Sequence, residues 1–301
     1  MKIVVMGAGA VGCYFGGMLA RAGHEVTLVG RAPHVEAIRR DGLRLETRSG
    51  IERIALAATT EADGVAGADL VLVAVKSAAS EEAAAAMAPH LSPGAVVWSL
   101  QNGVDNAERL SRVLARPVSA AVVYVATEMA GPGHVLHRGR GELVVGEDTG
   151  NADLAALFTD AGVPTTLSGD VEGALWAKFL LNCAYNALSA LTRMPYGPLV
   201  EQPGVTAVIA DVAAECVAVA AAAGVTIPGD VDAALAGIVT SMPEQYSSTA
   251  QDLARGKPSE IDYLNGHVVR LGERLGVPTP ANRVLHVLVK IAETGRPVGA
   301  G

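Results

Sequence analysis

The chain has 301 residues, enough for two domains with their own cores. Its formal net charge of -8 argues against a broad nucleic-acid or anionic-membrane surface, because those partners select faces rich in Lys and Arg. Half of the residues are hydrophobic but only 4% are aromatic, so small side chains dominate and closely packed helices with tight turns are expected.

Cys13, Cys183 and Cys216 each lie in an apolar or Ala-rich segment and read as small buried hydrophobes. An odd number without paired spacing offers neither a disulfide framework nor a zinc site, which points to a reducing cytoplasm. The longest Ala-rich stretch, residues 205–225, contains Asp211 and Glu215. No segment supplies about 20 apolar residues free of charge, so a soluble protein without a membrane partner is expected.

Along the first half, short apolar runs alternate with helical patterns. Strands are predicted at 3–6, 26–29, 70–75, 95–100, 118–125, 133–137 and 142–146, and helices from near Ala10, Pro33, Ser80 and Asp105 and over 152–161. Buried strands alternating with helices imply βαβ units and a mainly parallel sheet. After about residue 168 the strand pattern stops, and successive helical segments follow with Gly or Pro between them. The expected architecture is an α/β domain over 1–167 followed by an all-α domain over 168–301.

The first strand runs straight into "GAGAVG", Gly7, Ala8, Gly9, Ala10, Val11 and Gly12, which opens a helical run. In such a G-x-G-x-x-G turn the first Gly allows the tight bend, the second lets backbone approach a pyrophosphate, and the third lets helix and strand pack closely. The helix N-terminus supplies N–H groups and partial positive charge. This is the pattern of a Rossmann-type dinucleotide-binding domain. At the end of the second strand stand Val29, Gly30 and Arg31, where an NAD enzyme would carry an acid for the ribose hydroxyl. A guanidinium there can pair with a 2'-phosphate, so NADP(H) is favoured; the alternative for Arg31 is an ordinary surface charge.

Two later strand ends carry Lys76, in "VAVKS", and Asn102, in "SLQNGVDN". Each alone could be loop chemistry, but their shared sheet edge is where open parallel sheets bind ligands. In the second half, "WAKFLLNCAYNALSALT" places Lys178, Asn182 and Asn186 at steps of four on an otherwise apolar helix. Steps of four drift by about 40°, so the three stack along one stripe roughly 12 Å long. A solvated face is the plain alternative; buried polar groups otherwise need partners.

These pieces together resemble the ketopantoate reductase (2-dehydropantoate 2-reductase) family over nearly the whole chain. The likeness is carried by "GAGAVG" with Arg31, "AVKS", "QNG", "GHVLHRGRGELVVGE", the Lys178/Asn182/Asn186 stripe and "SSTAQDLARGKPSEIDYLNG". It implies NADPH-dependent reduction of a small 2-oxo acid, ketopantoate, to pantoate, in pantothenate and coenzyme A synthesis. By that resemblance Lys178 matches the catalytic lysine, and Asn182 and Asn186 match substrate-contacting asparagines. Ser248 would bind the substrate carboxylate, Glu260 would position substrate and cofactor, and Lys76 and Asn102 would lie near nicotinamide and ribose. Ser248 could also be a turn hydroxyl, and Ser259-Glu260 also reads as a helix start.

Thr249 stands where the family more usually has Met, and bulky Tyr196 follows soon after the lysine helix. The runner-up is therefore a dehydrogenase of a related 2-hydroxy or 3-hydroxy acid, and from another class a non-catalytic NADP(H) sensor. The Ala-rich helices are compatible with a homodimer, but no stretch of sequence defines an interface.

Overall fold

The computed structural model describes residues 1–148 and 150–295. The chain forms two compact units, Met1–Val171 and Glu172–Gly301.

The first unit begins with β1 (Lys2–Met6), α1 (Ala10–Arg21), β2 (Glu25–Val29) and α2 (Ala32–Asp41). It continues through β3 (Leu43–Thr47), β4 (Gly50–Ile54), β5 (Ala57–Thr59), β6 (Leu70–Val73), α3 (Ser80–Met87), β7 (Val96–Ser99) and α4 (Asn106–Leu114). β8 (Ser119–Gly131), β9 (His134–Gly146), α5 (Asn151–Asp160) and β10 (Thr165–Ser168) complete it. The strands make one sheet in the order β4-β3-β9-β8-β7-β6-β1-β2-β5, with β10 on β9. Among the described residues only β3–β4 and β8–β9 pair antiparallel.

The period-2 rule of a strand explains why the centre of this sheet reads as continuous hydrophobic sequence. On β1, Ile3 and Val5 join one apolar cluster while Val4 and Met6 join the other. On β6, Leu70 and Leu72 face the first cluster and Val71 and Val73 the second. Both faces are therefore covered, and neither strand tolerates a polar position. The register Ile3↔Val26 and Ile3↔Leu70 brings the C-terminal ends of β1, β2 and β6 to one edge.

Some elements differ from the expectation, for identifiable reasons. β3, β4 and β5 carry charged or exposed residues, as on β4, where only Ile54 is buried; an edge strand of this kind lacks the apolar run that marks a central one. The two runs expected at 133–137 and 142–146 are one strand, β9, paired along its length with β8. Shifts of register between Tyr124/Val125 and Ala126/Thr127 absorb the polar "HRGRG" segment. There Gly139, Arg140 and Gly141 all have positive φ, and the Arg140 guanidinium lies 4.3 Å from the centre of the Tyr124 ring.

The second unit consists of helices: α6 (Val171–Thr192), α7 (Tyr196–Val200), α8 (Val205–Ala222), α9 (Val231–Ser241), α10 (Ser248–Ala254), α11 (Asn265–Leu275) and α12 (Pro280–Glu293). α6 buries Leu175, Trp176, Phe179, Leu180, Cys183, Ala184 and Ala187, a spacing of alternating single and triple steps that forms one broad helical face. α8 is long and apolar enough to cross a membrane, yet its Glu215 carboxylate accepts N–H bonds from Ala281 (2.7 Å) and Asn282 (2.9 Å) and so caps α12. All three cysteines are buried free thiols, and burial pushes the Cys13 thiol up to about 12.

Candidate active site

β1 ends in a turn that only glycine fits. Gly7 has φ +120°, and a Cβ on it would lie 2.6 Å from backbone atoms of Ala74 and Val75. A Cβ on Gly12 would lie 2.0 Å from the Gly7 carbonyl oxygen. Gly9 differs: a Cβ there would meet no atom within 4 Å, so the backbone at the start of α1 is open to an approaching group. Ala8 is buried, while Ala10 and Val11 are half-buried on the first turn of the helix. That first turn has no acidic residue and no side-chain cap, which leaves its N–H groups and positive dipole end for an anion. These features fit the pyrophosphate of a dinucleotide.

Next to this turn, Gly30 follows β2, and its N–H donates to the Thr59 carbonyl at 2.9 Å. A Cβ at position 30 would sit 2.4 Å from the Ala8 Cβ. Packing thus demands Gly here, in addition to the charge argument against an acid. Arg31 is exposed and precedes α2, its carbonyl accepting from His34 N (3.0 Å) and Val35 N (3.1 Å).

Lys76 and Asn102 stand on the loops that follow β6 and β7. The Lys76 residue is exposed and Asn102 half-buried, but the residues around them are buried and polar: Ser77, Ser80, Gln101, Asn106 and Arg109. Gln101 Nε2 donates to the Val75 carbonyl (3.0 Å) and to Ser80 Oγ (2.7 Å), joining the two loops. The sequence reading did not single out Ser77, Ser80, Asn106 or Arg109. The only available signal was a polar run after each strand, which resembles any helix start.

In the second unit, α6 presents Lys178 and Asn182 half-buried and Asn186 only 3% exposed. The stripe is therefore not a plain solvated face. Asn186 Oδ1 accepts from the Tyr196 hydroxyl at 3.2 Å, and burial raises the pKa of that phenol, so it donates as a neutral O–H. This bond takes one of the two acceptor lone pairs of the Asn186 side chain and sets which end of the amide is the oxygen. Near the end of α6, Ser247 Oγ donates to the Asn186 carbonyl (2.9 Å) and accepts from Ala250 N (3.0 Å). Ser247, not Ser248, is thus the cap of α10, and Ser248 is exposed on the first turn.

Glu260 is half-buried and precedes a 3-10 turn over Ile261–Tyr263, with α11 starting only at Asn265. The expected continuous helix from 260 is therefore delayed, because Ser259 and Asp262 bond to α12 instead. Ser259 N and Oγ both donate to Glu293 Oε1, at 2.8 and 2.7 Å. Asp262 pairs with His286 (2.7 Å) and Lys290 (2.9 Å). Glu260 is held between two anchored neighbours.

The first unit thus gathers the glycine turn, Arg31, Lys76 and Asn102 on loops at the C-terminal ends of β1, β2, β6 and β7, the edge where open sheets bind ligands. The second gathers Asn186 and the start of α10, and it places Lys178 and Asn182 on the same helix. Comparison with known proteins finds the same family along both halves of the chain. The family model described as ketopantoate reductase PanE/ApbA matches residues 3–150, and its C-terminal companion matches 170–293. A 2-dehydropantoate 2-reductase of Halobacterium salinarum is 36% identical over 97% of this chain and 99% of its own. A crystal structure of a PanE/ApbA family ketopantoate reductase from Ralstonia eutropha is 60% identical, with TM-score 0.95 over 98% of this chain and 99% of that one. A ternary structure of D-mandelate dehydrogenase with NADH and anilino(oxo)acetate is 26% identical, with TM-score 0.91 over 98% and 99% of the two chains.

Proposed function

Given that the chain belongs to the ketopantoate reductase PanE/ApbA family and is a dinucleotide-dependent oxidoreductase acting on CH–OH groups, we propose that it reduces ketopantoate to pantoate with NADPH. The observation that carries this reading is the Lys178, Asn182 and Asn186 stripe on a largely apolar helix, with Asn186 buried and Lys178 and Asn182 half-buried. A full set of polar side chains on such a helix has a chemical use in ketone reduction.

Hydride addition to a 2-oxo carbon turns the carbonyl oxygen into an alkoxide, which needs a positive donor and a proton. NADPH, when bound, supplies the hydride. Lys178 stabilises the developing charge and gives one proton to that oxygen, yielding the hydroxy acid and a neutral amine that recovers its proton from water. Asn182 and the amide N–H groups of Asn186 orient the polar groups of the substrate. Ser248 binds its carboxylate, and Glu260 fixes substrate and cofactor. Gly7 to Gly12 receive the pyrophosphate, Arg31 pairs with the 2'-phosphate, and Lys76 and Asn102 hold the ribose and nicotinamide end. The first unit is then the cofactor domain and the second the substrate domain; a cytoplasmic location and a homodimer belong to the same reading.

A second reading has its own support. The likeness to D-mandelate dehydrogenase, together with Tyr196 bonding to the side-chain Oδ1 of Asn186, favours a different or bulkier 2-oxo acid. The test follows NADPH oxidation with ketopantoate and a panel of 2-oxo acids, NADH in parallel, and Lys178→Ala. Rapid oxidation with ketopantoate that collapses in the variant supports the proposal. An inert ketopantoate beside an active aryl or branched 2-oxo acid overturns the substrate, and NADPH binding without turnover of any acid supports a sensor instead.

A further inference from the structure

Asn106 opens α4 and is 3% exposed. An amide side chain has two N–H donors and two acceptor lone pairs, and this one uses all four. Its Nδ2 donates to Ser77 Oγ (3.1 Å) and to the Asn102 carbonyl (2.6 Å). Its Oδ1 accepts from Ser80 Oγ (3.0 Å) and Arg109 Nη1 (3.2 Å). Ser77 Oγ donates in turn to the Asn102 carbonyl at 3.1 Å, so that one carbonyl receives two donors.

Arg109, 9% exposed, completes the arrangement. Its Nη2 donates to the Ser77 carbonyl at 2.9 Å, and its Nε and Nη2 form a forked pair with Glu81. The two backbone positions held in this way adjoin or belong to the loop residues Lys76 and Asn102. The network therefore converges on those loops and not on the apolar interior of the sheet.

We infer that Asn106, oriented by Arg109, is a positioning residue of the dinucleotide site. It sets the spacing between the loop that carries Lys76 and the loop that carries Asn102, without touching the cofactor. This rests on the cofactor-binding role proposed above for Lys76 and Asn102. A fully satisfied amide has one orientation, so the Asn102 backbone is fixed before a ligand arrives, and binding spends less free energy on ordering the loop.

The test uses the full chain and three readouts: NADPH dissociation constant by fluorescence titration, the separate KM values for NADPH and the 2-oxo acid, and the thermal midpoint without ligand. Asn106→Asp keeps the shape but replaces two donors by acceptors, leaving the Asn102 carbonyl facing a carboxylate. The expected result is a rise of about tenfold or more in both the NADPH dissociation constant and KM, with the KM for the 2-oxo acid within about twofold. Ser80→Ala, which removes one of the donors to Oδ1, shifts the same constants in the same direction by about threefold, and it decides the matter if the aspartate variant does not fold. Wild-type NADPH affinity in a folded variant overturns the inference. So does a lowered thermal midpoint with reduced kcat and both KM values unchanged, the signature of a structural role alone. A wild-type chain that binds no NADPH sinks the cofactor reading itself, a result distinct from a variant that binds as the wild type does.

Discussion

The two units hold their candidate residues by different means. In the first, Arg31, Lys76 and Asn102 stand on loops, and their placement depends on other side chains: the Gly30–Ala8 contact and the Asn106 network. In the second, Lys178, Asn182 and Asn186 share one 22-residue helix, whose own backbone bonds set their spacing. A loop site transmits changes made at its neighbours, whereas a helix confines the effect of a substitution largely to the side chain removed.

The largest effect that this contrast predicts is for Lys178→Ala, which should lower kcat by about a thousandfold with NADPH affinity unchanged. Loss of NADPH binding in that variant would break the division of labour between the units. Next, Gly30→Asp should weaken NADPH binding by about a hundredfold without creating NADH preference, because the new Cβ meets Ala8 at 2.4 Å before the carboxylate can reach a ribose. A clean switch to NADH would show that the loop yields more easily than its packing implies. Arg31→Ala, which disturbs no packing, should raise the KM for NADPH by about 30-fold and leave that for NADH unaltered.

Smaller effects test the helical unit. Glu215→Ala removes the acceptor for two backbone N–H groups and the Asn282 side-chain amide at the start of α12 and should cost about 1 to 2 kcal/mol in denaturant unfolding, with kinetic constants preserved. The smallest is a pH effect at Asp262. Burial tends to raise its pKa, but the hydrogen bonds and charges of His286 and Lys290 win, and the net shift is downward. A carboxylate with a lowered folded pKa contributes stability that is fully present above its ordinary value and is lost as pH falls through the folded one. The Asp262→Asn variant should therefore lose less thermal stability than the wild type as pH drops below about 4, as calorimetry across that range would show.

The central strands, the glycine turn and the spacing of the α6 stripe were legible because each depends on a few neighbouring residues. A strand buried on both faces must be continuously apolar, and Gly7, Gly9 and Gly12 announce a turn without reference to any distant residue. The edge strands β4 and β5 and the neighbouring β3 were not legible, since β3 and β4 carry charges that look like loop sequence and β5 is only three residues long. The delayed start of α11 was hidden for another reason: Ser259 and Asp262 bond across 34 and 24 residues to α12, and that competition has no local trace.

Sequence alone thus determined the strand-turn-helix signature, the succession of helices after it and the residue types on the polar stripe, all of which follow from backbone conformation and period. Tertiary structure decided that Ser247 caps α10 and leaves Ser248 exposed, that Tyr196 donates to the Asn186 side-chain oxygen, that Gly30 faces Ala8, and that Asn106 joins two loops. The physical reason is reach: a buried polar side chain must find its partner wherever the fold brings one, and beside their local partners Ser247 bonds to Asn186, 61 residues away, and Asn106 to Ser77, 29 residues away.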